Sequence, residues 1–129
     1  MSDYTIRTTV DLPFDAAIEK VTAALADAGF GVLTTIDVKA TLKKKLDVDF
    51  RPYMILGACN PPFAHKALQT EPYIGAMLPC NVVVQQTEDG SVSVAAIDPA
   101  ASMQAVDNPA LAEIAGEVRD MLANVIRDL

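Results

Sequence analysis

Polar and apolar residues alternate from Tyr4 to Val10, so Tyr4, Ile6, Thr8 and Val10 share one face of an extended chain. A period of two predicts a half-buried strand. The period then changes: Phe14, Ile18, Val21, Leu25 and Ala28 recur at helical spacing, with Asp15 and Glu19 toward the N-terminal end and Gly29 as a C-terminal stop. Phe30 to Ile36 reads as a strand, with Thr34 and Thr35 favouring extension. Asp37 to Leu46 reads as a short helix, capped by Asp37 and carrying a narrow stripe of Val38, Leu42 and Leu46. A loop ending at Arg51-Pro52 leads into Tyr53 to Ala58, an unbroken apolar run that predicts a central strand buried on both faces.

Asn60-Pro61 opens the next helix, since Asn caps well and Pro suits the first helical position; it runs to about Gln69. Glu71 to Pro79, bounded by prolines, is expected to be extended but irregular. Asn81 to Thr87 and Ser91 to Ile97 are two strands joined at Asp89-Gly90, a hairpin signal. Asp98-Pro99 starts a helical turn to about Val106. Asn108-Pro109 starts the last helix, with Leu111, Ile114, Val118, Leu122, Val125 and Leu129 on its buried side. The expected fold class is α+β: a mostly antiparallel sheet with helices packed on one face.

The chain has 129 residues, which fits one domain over 1–129. Its hydrophobic content of 51% is largely aliphatic, with no Trp and 5% aromatics, so stacking platforms for nucleobases are scarce. A net charge of −7 repels phosphate backbones, and no nucleic-acid partner is expected. No apolar run is long enough to cross a membrane. The start, Met1-Ser2-Asp3-Tyr4, carries no basic region followed by an apolar core. A cytoplasmic location with reduced thiols is therefore expected.

The chemistry-bearing residues are few. Cys59 and Cys80 are the only cysteines, each in a Cys-Asn step (Ala58-Cys59-Asn60-Pro61 and Pro79-Cys80-Asn81), and His65 is the only histidine. Cys59 precedes a predicted helix N-terminus, which favours a thiolate, and follows an apolar strand, which opposes one. Equally, both cysteines read as small packing residues at element junctions. If their strands are neighbours, the two sulfurs meet at one sheet end. His65, in the second turn of its helix, reads as a base for Cys59, as a third metal ligand with both thiolates, or as a solvated or locally hydrogen-bonded residue. Spacings of six and fifteen residues match no standard zinc motif, and no metal site is assigned. Asn60 reads as a cap and Asn81 as a strand-entry residue, with both available to a ligand. Lys39, Lys43, Lys44, Lys45 and Arg51 hold half of the ten positive charges, either a local anion-attracting patch or a solvated face balanced by Asp37, Asp47 and Asp49. No Gly-x-Ser-x-Gly, no phosphate-cradling Gly-rich motif and no paired-carboxylate pattern occurs.

From Phe30 onward the chain resembles the domain-of-unknown-function 302 family. The segments carrying the resemblance include Phe30-Gly31-Val32-Leu33-Thr34, Ile36-Asp37-Val38-Lys39, Leu42-Lys43-Lys44-Lys45-Leu46 and Leu56-Gly57-Ala58-Cys59-Asn60-Pro61. They continue with Ala64-His65-Lys66-Ala67-Leu68, Ile74-Gly75, Leu78-Pro79-Cys80-Asn81-Val82 and Ile97-Asp98-Pro99. The resemblance implies a β-α-β4-α arrangement like that of TATA-binding-protein-like domains, and a homodimer. It implies no activity.

Three functions follow as expectations. The first is a module binding a small anionic or apolar ligand near the Cys-Asn steps, with Asn60, Asn81, Lys39 and Lys43 in contact. The second is a thiol protein for redox, sulfur transfer or soft-metal handling, using Cys59, Cys80 and His65. The third is a dimeric adaptor with inert thiols. No cofactor is assigned.

Overall fold

The computed structural model describes residues 3–129; Met1 and Ser2 lie outside the described residues. Five strands, β1 (Thr5–Val10), β2 (Gly31–Asp37), β3 (Tyr53–Cys59), β4 (Cys80–Gln86) and β5 (Val92–Ile97), form one sheet in the order β1-β5-β4-β3-β2. Every neighbouring pair is antiparallel. Strands β2 to β5 form a meander, and β1 closes against β5, so β1 and β2 are the two edges. Helix α1 (Phe14–Asp27) carries the chain between those edges.

Helix α1 and the last helix, α5 (Pro109–Arg127), cover one face of the sheet. Ala17, Val21 and Leu25 of α1 and Val118, Leu122, Val125 and Ile126 of α5 close on Leu56, Val82, Val84, Val94 and Ala96. These side chains come from alternate strand positions, as a pleat requires. Caps read from the sequence are in place, two of them at α2 and α5. The Asp37 carboxylate accepts from the Ala40 N–H at the start of α2 (Val38–Leu46). Asn108 accepts from Ala110 and Leu111 at the start of α5. Gly29, just past the end of α1, has φ +91°, a conformation that favours glycine.

The structure departs from the expectations at β3, at Glu71 to Pro79, and after Asp98, where the helix ends at Ser102 rather than near Val106. Strand β3 is not buried on both faces: Leu56 and Ala58 are fully enclosed, whereas Tyr53 and Ile55 are half-buried on the side away from α1 and α5. The unbroken apolar run reflects a sheet whose second face is itself half apolar. The segment from Glu71 to Pro79 contains a 3-10 turn, Ile74–Met77, that buries Ile74. Ile74 joins Ala67, Met103, Leu111 and Ala115 in a second, smaller core cluster at one end of the sheet. No helix among the described residues is long and apolar enough to cross a membrane.

Candidate functional site

The antiparallel register gathers both Cys-Asn steps at one end of the sheet. Ala58 on β3 pairs with Cys80 on β4, so Cys59 is one residue out of step with Cys80 rather than directly opposite it. Helix α3 (Pro61–Thr70) starts where β3 ends, and the short α4 (Pro99–Ser102) starts where β5 ends. Their caps resemble each other. The Asn60 side-chain oxygen accepts from the Phe63 N–H at 3.4 Å, and Asp98 accepts from Ala100 and Ala101. Asp98 also takes the Arg119 guanidinium at 3.1 Å, which ties α4 to α5.

Between α3, α4, the first half of α5 and this sheet end lies an apolar cavity of about 40 Å³. Phe30, Ala58 and Cys80 form its floor, Phe63, Ala64 and Ala67 line the α3 side, and Leu111, Ile114, Ala115 and Val118 line the α5 side. Cys59, Asn60, Leu78, Pro79, Pro99 and Met103 complete it, so Asn60 contributes the only amide side chain and no charged group is present. Helix α3 covers this space with little anchorage of its own: Ala67 is its one fully buried residue.

Cys80 is buried and Cys59 half-buried, and neither forms a disulfide. Burial, reinforced by the neighbouring Cys59, pushes the Cys80 thiol up from 9.0 to about 11. A thiol so placed stays protonated at neutral pH and is a poor nucleophile. The out-of-step register also separates the pair from the directly opposed geometry of a cross-strand bridge.

Gly57 explains how this end closes. A side chain at position 57 would run into the Thr34 hydroxyl and come within 2.8 Å of Pro79 Cγ. Glycine therefore lets Thr34 and Pro79 both approach the β3 backbone closely, and Pro79 immediately precedes Cys80. The Leu78-Pro79 peptide is cis.

The remaining candidates lie elsewhere. His65 is exposed on α3 and does not line the cavity, so it is not placed as a base for the cavity thiols. Asn81 is exposed and pairs with Gly57 on the face away from α1 and α5. Lys39 and Lys43 sit on α2, at the opposite end of β3 from the cavity. Lys43 is engaged by Asp47 at 3.0 Å and Asp49 at 3.6 Å. Among the described residues, no group of three or more His, Cys, Asp and Glu side chains is arranged to hold a metal ion. The sequence reading did not single out Phe63, Ala64, Met103 or Ala115. Small and apolar residues of this kind carry no chemical signature; of the lining, the sequence singled out Cys59, Asn60 and Cys80 for their chemistry and Leu111, Ile114 and Val118 only as a buried helix face.

The family model "Domain of unknown function DUF302" matches residues 6–129. The chain belongs to this family. A crystal structure of an uncharacterized conserved DUF302 protein from Bacillus stearothermophilus superposes with a TM-score of 0.91 and 31% identity, covering 98% of each chain. An uncharacterized protein of Aquifex aeolicus (strain VF5) is 36% identical over 48% of this chain and 51% of its own length. The chain thus spans about half the length of that curated relative.

Proposed function

We propose that this DUF302 protein is a binding module for a small, uncharged, apolar ligand, held in the cavity beneath α3. The observation that carries the reading is the lining itself: of its sixteen residues, Asn60 alone bears an amide, and none is charged. Binding sites for small molecules are typically apolar with a few placed polar groups. Here those groups are the Asn60 amide and the two thiols. The anionic ligand expected alongside the apolar one has no cation to meet in this cavity.

Size constrains the ligand. A volume of about 40 Å³ accommodates a few atoms, since one water needs roughly 10–15 Å³ on the same kind of measure. Anything as large as benzene requires α3 to move outward, and its single buried anchor, Ala67, makes it the element free to do so. A benzene titration followed by amide chemical shifts tests the reading. Saturable shifts confined to β3–α3, Leu78–Cys80 and the first half of α5 support it; their loss in Ala115→Leu, which fills the space, completes the support. No saturable shift, or shifts elsewhere, would refute it.

A second reading is the homodimer, favoured by edge strand β2. Leu33 and Ile36 on this strand are 68% and 47% exposed. Contact between two β2 edges would bring Leu33, at the bulge between Val32 and Thr34, and Ile36 against the partner, with backbone pairing confined to the regular stretch from Thr34 to Asp37. Sedimentation of the wild type and Leu33→Lys tests this: a dimer that Leu33→Lys dissociates supports the reading, and a monomer at high concentration opposes it.

A further inference from the structure

The sheet face turned away from α1 and α5 has an unusual charge pattern. Strands β1, β3, β4 and β5 contain no Asp or Glu, in a chain with 17 acidic residues. Arg51 lies at the hairpin end of this face. Its Nε donates to the Gln85 side-chain oxygen at 2.8 Å. Its guanidinium carbon sits 4.4 Å from the centre of the Phe50 ring and 5.5 Å from that of Tyr53. Tyr53 and Gln85 are paired across β3 and β4, so these contacts fix the guanidinium at a defined register position.

Among the described residues, every other arginine has a carboxylate partner: Arg7 has Asp3, Arg119 has Asp98 and Asp120, and Arg127 has Asp128. Arg51 has no Asp or Glu within ion-pair distance. With Nε committed to Gln85, its two Nη groups are left as a planar fork. The next pair on the same face is Ile55 with Val83, and Val83 pairs in turn with Ala95, all three half-buried. Same-face positions along a strand are about 7 Å apart.

We propose that this end of the face binds an amphiphilic carboxylate, its two oxygens on the Arg51 Nη fork and a short apolar tail across Ile55, Val83 and Ala95. A planar fork matches a carboxylate bidentately, and the two aromatic rings strip water from part of the cation. No Asp or Glu of these strands competes for the Arg51 guanidinium, and the Asp3 carboxylate at the β1 edge is already held by Arg7, the strand partner of Ala95, which leaves Arg51 as the open cation of this face. The site is at the opposite end of β3 from the cavity beneath α3 and does not depend on it.

The test is an amide chemical-shift titration of the full chain with sodium octanoate, sodium acetate and 1-octanol as probes. Octanoate is expected to give saturable shifts at Tyr53, Ile55, Val83, Gln85 and Ala95, with acetate and octanol at least ten-fold weaker. Arg51→Gln and Val83→Asp, each checked for native circular dichroism, are both expected to weaken octanoate at least ten-fold. Equal binding of octanoate and octanol, or an unchanged Arg51→Gln, overturns the proposal. So do octanoate shifts confined to the α3 cavity, or a self-associated protein in which a second copy covers Val83 and Ala95 and octanoate shifts neither.

Discussion

Alkaline pH should destabilise this protein through one group, Cys80. Its thiol is raised from 9.0 to about 11 in the folded protein, chiefly by burial and secondarily by Cys59. Below pH 9 the thiol is protonated in both the folded and unfolded chains, and its contribution to stability is fully present. Between pH 9 and 11 the unfolded chain releases the proton while the folded one retains it, so stability falls as pH rises. A shift of about two units corresponds to a loss of up to about 3 kcal/mol across that window. The same series on Cys80→Ala supplies the background, so the difference between the two proteins reports the Cys80 thiol together with its coupling to Cys59. The assay is urea unfolding under reducing conditions at intervals from pH 8 to pH 11. The wild type should lose about 2–3 kcal/mol more than Cys80→Ala over this range. Parallel curves for the two proteins would refute the argument, because they would mean that Cys80 titrates like an exposed thiol.

Other consequences follow from the same packing. In native protein at neutral pH, iodoacetamide should label half-buried Cys59 well before buried Cys80, read by peptide mass spectrometry; equal rates would contradict the assigned burial. Gly57→Ala should cost about 1–3 kcal/mol by overpacking, measured by urea unfolding, and Thr34→Ala should restore only part of it because Pro79 Cγ still lies 2.8 Å from the new methyl. Leu122→Ala removes a side chain with 0% exposure and should cost about 2–5 kcal/mol in the same assay. Asn108→Ala loses the α5 cap and the 3.1 Å bond to the Thr70 carbonyl, and should cost about 1–2 kcal/mol.

The fold was largely legible because its signals are local. Asn60-Pro61, Asp98-Pro99 and Asn108-Pro109 each mark a helix start, and in all three the Asn or Asp side chain accepts from the first turn. The alternation of β1 and the Asp89-Gly90 hairpin placed three of the strands. What the sequence could not give is set by tertiary register. The Ala58–Cys80 pairing decides that Cys59 and Cys80 share a sheet end yet stand one residue out of step. It also turns the apolar run of β3 into a strand with one covered face. His65 and the α2 lysines illustrate the converse. Their residue types suggest chemistry, but α3 turns His65 to solvent and the meander carries Lys39 and Lys43 to the far end of β3. Arg51 was visible only as a charge; its aromatic and Gln85 contacts join residues up to 34 positions apart.

The central claim is that the space beneath α3 is a binding site rather than a packing defect. Benzene titration of the wild type and Ala115→Leu, read by amide chemical shifts, addresses it most directly. The account predicts saturable shifts around Ala58–Asn60, α3 and Leu78–Cys80 in the wild type, and none in the filled variant. A wild type that shows no saturable shift, or an Ala115→Leu protein that binds benzene equally well, would contradict it.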